Sequence, residues 1–93
     1  MFVNKYKNIM VDFLERKISA DEFQTRYMKN FIKWNDKFDE TFFEILNGVF
    51  ETADCYWHEC LPGQETSFEI SEQQLRNDIN ESLIKLNILL DSR

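Results

Sequence analysis

Residues 38–60 read FDETFFEILNGVFETADCYWHEC, and the spacing of their apolar side chains decides the fold. At 100° per residue, Phe42, Ile45, Leu46, Val49, Phe50, Ala53, Tyr56 and Trp57 share one broad helix face. Glu40, Glu44, Asn47, Glu51, Asp54 and His58 fall in a window of about 80° on the other side. The pattern predicts an amphipathic helix from about Phe38 to Cys60. Gly48 inside it either costs about 1 kcal/mol relative to Ala or allows a close helix crossing.

The same period continues on both sides. Phe2, Tyr6, Ile9, Met10, Phe13 and Leu14 recur at helical spacing over residues 2–16. Ser19 is followed three residues on by Glu22, a capping box with Asp21 also in the first turn. Phe23, Tyr27, Phe31 and Trp34 line the face of the helix that starts there, and Asn35-Asp36-Lys37 reads as the turn that ends it. Residues 61–70 (LPGQETSFEI) read as the one loop of any length. Ser71 with Gln74 makes a second capping box, and Leu75, Ile79, Leu83, Leu86 and Leu90 give the inner stripe of a last helix. The expected fold is all-α: one domain over residues 1–93, built as a four-helix antiparallel up-down bundle.

Composition agrees. Nine Phe, two Trp and three Tyr in 93 residues can fill a core without disulfide or metal staples. Two Gly and one Pro leave few turns, which argues against many short strands. No run of 18 apolar residues is present, so no membrane span is expected. The start, MFVNKYK, lacks the apolar run and small-residue cleavage site of a signal peptide, which places the protein in the cytoplasm with reduced thiols.

Charge is unevenly spread. Residues 38–75 hold nine carboxylates (Asp39, Glu40, Glu44, Glu51, Asp54, Glu59, Glu65, Glu69 and Glu72) and no Lys or Arg. The flanking segments are slightly basic or balanced, so this block accounts for the net charge of −6. Such a field repels nucleic acid and attracts a basic surface. A Glu-rich helix face is most often merely solvated. Here, however, no Lys or Arg inside the segment stands at i±4 to pair it, although Lys29, Lys33 and Lys37 could offset it from across the bundle.

Catalysis finds little material: one His, no Gly-rich phosphate loop and no G-x-S-x-G. Cys55 and Cys60, about 140° apart on the helix, would face different sides, Cys60 the apolar one and Cys55 the acidic one. With His58 they make a poor zinc set, and they read as two reduced thiols; no metal or cofactor is expected. His58 itself reads as a solvated helix-end residue. Aromatic stripes at helical spacing are core, with one exception. Tyr56, Trp57 and Phe68 lie among acids at the end of the third helix and in its loop, where rings serve as partner anchors.

The order of several short stretches carries a resemblance. They are Phe13-Leu14, Ile18-Ser19-Ala20-Asp21-Glu22-Phe23, Tyr27, Trp34, Ile45-Leu46-Asn47, Val49-Phe50, Ala53-Asp54-Cys55-Tyr56, and Phe68-Glu69-Ile70-Ser71 leading into Leu75-Arg76. On them the chain resembles the colicin D-type immunity proteins, small bacterial self-protection proteins that neutralise nuclease toxins. The resemblance implies a four-helix antiparallel bundle. Its partner would be the C-terminal, tRNA-cleaving nuclease domain of a colicin or contact-dependent growth-inhibition toxin. The basic groove of such a toxin holds tRNA phosphates, and the immunity protein plugs it with carboxylates. By motif position the inhibitory acids fall on Asp54 and Glu59.

The expected mechanism is occlusion in a 1:1 complex of a monomer, with no direct nucleic-acid or membrane partner. Glu51, Asp54 and Glu59 would pair with Lys, Arg and a catalytic His of the toxin, with Glu44 and Glu65 on the rim and Trp57 beside them. The alternative is an acidic helical adaptor or small secretion chaperone that grips a partner protein through apolar grooves. Its affinity would be nearly independent of salt, whereas that of a mimic falls steeply. A mimic acting on a DNA-binding protein stands between the two. No pocket of convergent titratable groups is expected, and so no enzyme.

Overall fold

The two serine caps set the starts of two helices. The Ser19 hydroxyl accepts from the Glu22 N–H at 3.0 Å, and the Ser71 hydroxyl from the Gln74 N–H at 3.2 Å. In both boxes the fourth residue turns its side chain forward: Glu22 pairs with Arg26, and Gln74 donates to Asp78 at 2.9 Å. The computed structural model describes residues 3–33, 40–66 and 68–92. It holds four helices, α1 (Val3–Leu14), α2 (Ala20–Ile32), α3 (Glu40–Cys55) and α4 (Glu72–Asp91), in a body of 38 × 26 × 25 Å. Phe2, Trp34, the Asn35–Lys37 turn, Phe38 and Asp39 lie outside the described residues. Among the described residues there is no strand, only an isolated parallel bridge between Tyr56 and Ile70. No helix of these residues is long and apolar enough to cross a membrane.

The inner stripes are the expected ones. Tyr6, Met10 and Phe13 of α1, Phe23 and Tyr27 of α2, Phe42, Leu46, Val49 and Ala53 of α3, and Leu75, Ile79 and Leu86 of α4 are buried together. Each helix packs on its chain neighbours, and α4 closes back on α1. Ring and hydrogen-bond contacts join the successive helices. Phe13, late in α1, stacks on Phe23, early in α2, at 4.7 Å, while the Tyr6 hydroxyl donates to the Asn30 carbonyl at 3.2 Å. The Tyr27 hydroxyl donates to the Leu46 carbonyl at 2.8 Å, and Phe31 stacks on Phe50 at 4.9 Å. Early α4 meets late α1, where Arg76 Nη1 donates to the Phe13 carbonyl at 2.8 Å and the guanidinium lies 4.3 Å from the Phe13 ring centroid. Such a cation over a ring face is held by the ring quadrupole.

α1 ends on a left-handed residue. Arg16 has φ 64°, with Lys17 N–H bonded to the Asp12 carbonyl at 2.8 Å and Arg16 N–H to that of Phe13 at 3.1 Å. This is the Schellman pattern that satisfies the last carbonyls of a helix.

α3 is shorter than its periodicity suggests. It stops at Cys55, five residues before the expected Cys60. Two non-local contacts terminate it. Gln24 Nε2 of α2 donates to the Ala53 carbonyl at 2.8 Å and to the Tyr56 carbonyl at 3.0 Å. Ile70 then pairs with the chain at that point: its N–H bonds the Cys55 carbonyl at 2.9 Å and its carbonyl takes the Trp57 N–H at 3.1 Å. The expected helical positions of Trp57, His58 and Cys60 are therefore corrected. Trp57 is 45% exposed rather than on the inner face, and Cys60 sits in the loop rather than on an apolar helix side. Tyr56 is buried as expected, but through the bridge rather than a further helical turn.

Gly48 marks no close crossing, since a Cβ built there meets nothing within 4 Å. Gly48→Ala is thus expected to remove only the helix penalty of glycine and to stabilise the protein by about 1 kcal/mol. In a thermal melt this is a rise of roughly 4–8 °C; an unchanged or lowered midpoint would contradict the open surface at this position.

Candidate functional site

The outer face of α3 carries Glu40, Glu44, Glu51 and Asp54, all exposed. From Glu44 to Asp54 the carboxylates span about 15 Å along the helix axis at 1.5 Å per residue. The four ion pairs among the described residues are Lys17–Glu15, Arg26–Glu22, Arg76–Glu72 and Lys85–Glu81. None of them draws on the α3 face or on Lys29 or Lys33, and Lys37 lies outside the described residues. Glu51 accepts from Asn47 Nδ2 at 3.3 Å and borders a shallow groove with Gly48, Thr52, Cys55, Ile70 and Asp78. Asp78 carries the acidic surface over onto α4, a contribution outside the residues expected from sequence.

The chain leaves α3 through the clasp made by Gln24. This side chain fixes the turn that follows Asp54, yet it lies 29 residues away from Ala53 in sequence, and no local signal marks it. Beyond the clasp, Cys60 N–H bonds the Trp57 carbonyl at 2.9 Å and closes a turn that exposes Glu59 and His58. The His58 ring lies against Trp57, centroids 4.5 Å apart. Asp54 thus lies in the last turn of α3 and Trp57 and Glu59 in the segment that follows it, with Glu51 and Glu44 earlier on the helix.

Tyr56 anchors this end from below. Burial pushes its phenol up to about 12, and the nearby carboxylates of Asp21 and Glu72 add to the rise. The Cys60 thiol is likewise raised, by desolvation first and then by Glu65 and Glu69, which disfavours its thiolate. Among the described residues no group of three His, Cys, Asp or Glu is placed to hold a metal ion.

Glu65 differs from the other acids. One carboxylate oxygen accepts from the Ser71 hydroxyl and the other from the Gly63 N–H at 2.8 Å, so it clasps the loop to the start of α4. Ser71, fully buried, is at once its donor and the cap of α4. The Ser71 bond leads the causes that hold the Glu65 carboxyl below its ordinary value of 4.5, followed by backbone N–H bonds of the loop. A carboxyl lowered by folding adds stability above its unfolded value, and that share is lost as pH falls through the folded value. Glu65→Gln is therefore expected to flatten the acid side of the stability curve below about pH 4.5. Urea unfolding at a series of acidic pH values measures this; parallel curves for the two proteins would remove the clasp.

No curated protein and no solved structure matches the chain significantly. A family model does match, across residues 1–86, which covers α1, α2, α3, the acidic exit loop and most of α4. The chain belongs to the bacterial self-protective colicin-like immunity family.

Proposed function

We propose that the chain neutralises a tRNA-cleaving toxin by seating its acidic α3 face in the basic active site of the toxin's nuclease domain. Family membership implies a cognate toxin as partner, and the carrying observation is a row of exposed carboxylates that find no cation within the described residues. Glu51, Asp54 and Glu59 stand at the centre of this surface and meet Lys, Arg and the catalytic His of the toxin. Glu44 lies on the rim and Trp57 flanks it. Glu65, expected on the rim, supports the surface by holding the loop. Charge-assisted hydrogen bonds at a desolvated centre carry affinity, while rim charges chiefly raise the association rate.

The scaffold in this reading is a single-domain, antiparallel up-down bundle, supported by the end-to-end pairing of Phe13 with Phe23 and of Gln24 with Ala53. It acts in the cytoplasm as a monomer, one copy per toxin domain, against either a secreted colicin or a cell-contact toxin. The test is co-expression with the C-terminal domain of the toxin encoded beside this chain, following growth and tRNA integrity on a gel. Rescue with intact tRNA is the expected result. Growth arrest with cleaved tRNA would overturn the reading, and rescue from a toxin that leaves tRNA untouched would overturn its substrate.

A further inference from the structure

The exit loop exposes apolar side chains that the bundle had room to leave out. Phe68 is 83% exposed, Leu61 59% and Trp57 45%. Single exposed apolar residues are ordinary, but three on one short loop are not. The backbone brings two of them together. The Trp57 N–H bonds the Ile70 carbonyl, and Phe68 lies two residues before Ile70, so the two rings spring from points about 12 Å apart or less. The backbone at Phe68 is also held in place. Its N–H and that of Glu69 both donate to Thr66 Oγ1 at 3.1 Å, and the Thr66 N–H returns to the Glu69 carbonyl at 2.9 Å. A backbone ordered before contact loses little conformational freedom on binding.

The surroundings state what the ring meets. Asp54, Glu59 and Glu69 flank this loop, all exposed, and residues 38–75 contain no Lys or Arg to neutralise them. An apolar centre inside an acidic rim is complementary to an apolar recess inside a basic rim. We propose that Phe68, assisted by Trp57 and Leu61, is an apolar anchor that seats in a recess of the toxin domain beside its phosphate-binding groove. This rests on the proposed function and adds a second, uncharged determinant to it. The carboxylates match any phosphate-binding groove, whereas the anchor discriminates among toxins by the shape of a pocket that tRNA does not fill.

The two determinants separate by salt. Ion pairs weaken as salt rises, and burial of a ring does not. Binding of the purified toxin domain to the full chain is measured by calorimetry from low to high salt, for wild type, Phe68→Ala, Phe68→Leu and Ile88→Ala. Ile88 is a control of similar character, 63% exposed on α4. Phe68→Ala is expected to raise Kd by about 30-fold or more at every salt concentration, with the salt slope unchanged. Phe68→Leu should recover much of the loss, and Ile88→Ala should match wild type. An unchanged Kd for Phe68→Ala overturns the anchor and leaves the acidic reading intact. A loss for Phe68→Ala that vanishes at one end of the salt range also overturns it. Failure of wild type to bind overturns both readings, and circular dichroism of each variant shows whether any loss is one of folding.

Discussion

Asp54→Ala combined with Glu59→Ala is expected to abolish protection of cells against the toxin while leaving the protein folded. Both side chains are exposed, and among the described residues neither makes a hydrogen bond or ion pair, so nothing in the bundle depends on them. Their loss relieves repulsion at the end of α3, where the negative pole of the helix dipole disfavours an acid such as Asp54. In the proposed complex the effect reverses. Removing Asp54 leaves a cationic group of the toxin buried without a partner, at about 2–5 kcal/mol, or roughly 30-fold to several thousand-fold in Kd. Glu44→Ala, on the rim, should change chiefly the association rate, and only at low salt. The measurement is survival under toxin co-expression together with Kd against salt. Full protection by the double variant would keep the immunity role and remove these acids from its mechanism.

Phe13→Ala is expected to have the largest effect on stability. The ring is fully buried, stacks on Phe23 at 4.7 Å and lies under the Arg76 guanidinium at 4.3 Å, so it joins α1, α2 and α4 at one point. Truncating a buried Phe costs about 3–5 kcal/mol through lost transfer energy and the cavity left behind. Loss of the cation–ring contact adds about 0.5–2 kcal/mol. Against a total of about 5–15 kcal/mol for a domain, this brings the protein close to unfolding. Urea denaturation gives the value directly; a loss below about 1 kcal/mol would show that the three helices are held together elsewhere.

The parts of this structure that were legible in the sequence are those specified by near neighbours. Ser19 and Ser71 announced the starts of α2 and α4 because a cap reaches only three residues. Phe42, Leu46, Val49 and Ala53 announced the inner face of α3 because burial repeats with the helical turn. Exposure of Glu44, Glu51 and Asp54 followed from the same geometry. The end of α3 was not legible, since apolar periodicity runs on through Tyr56 and Trp57. What stops the helix is an amide from Gln24 and a strand-like contact from Ile70, both distant in sequence. The part played by Glu65 was hidden for the same reason. A carboxylate in a polar loop reads as solvated until the fold brings the Ser71 hydroxyl to it.

The bridge between Tyr56 and Ile70 fastens the two ends of the intervening segment to each other, and Glu65 within it adds a second tie, to Ser71 at the start of α4. The entropy of closing such an insert rises by only about 0.6 kcal/mol for each doubling of its length. Residues inside it that make no bond to the bundle, unlike Glu65, can be exchanged at little expense to the helices beneath. The loop's share of the proposed recognition surface can thus change without repacking the helices, whereas Glu51 and Asp54 are carried by α3 itself. When a partner toxin reshapes its surface, part of the answering change can fall within the insert, leaving the buried faces of the helices as they are.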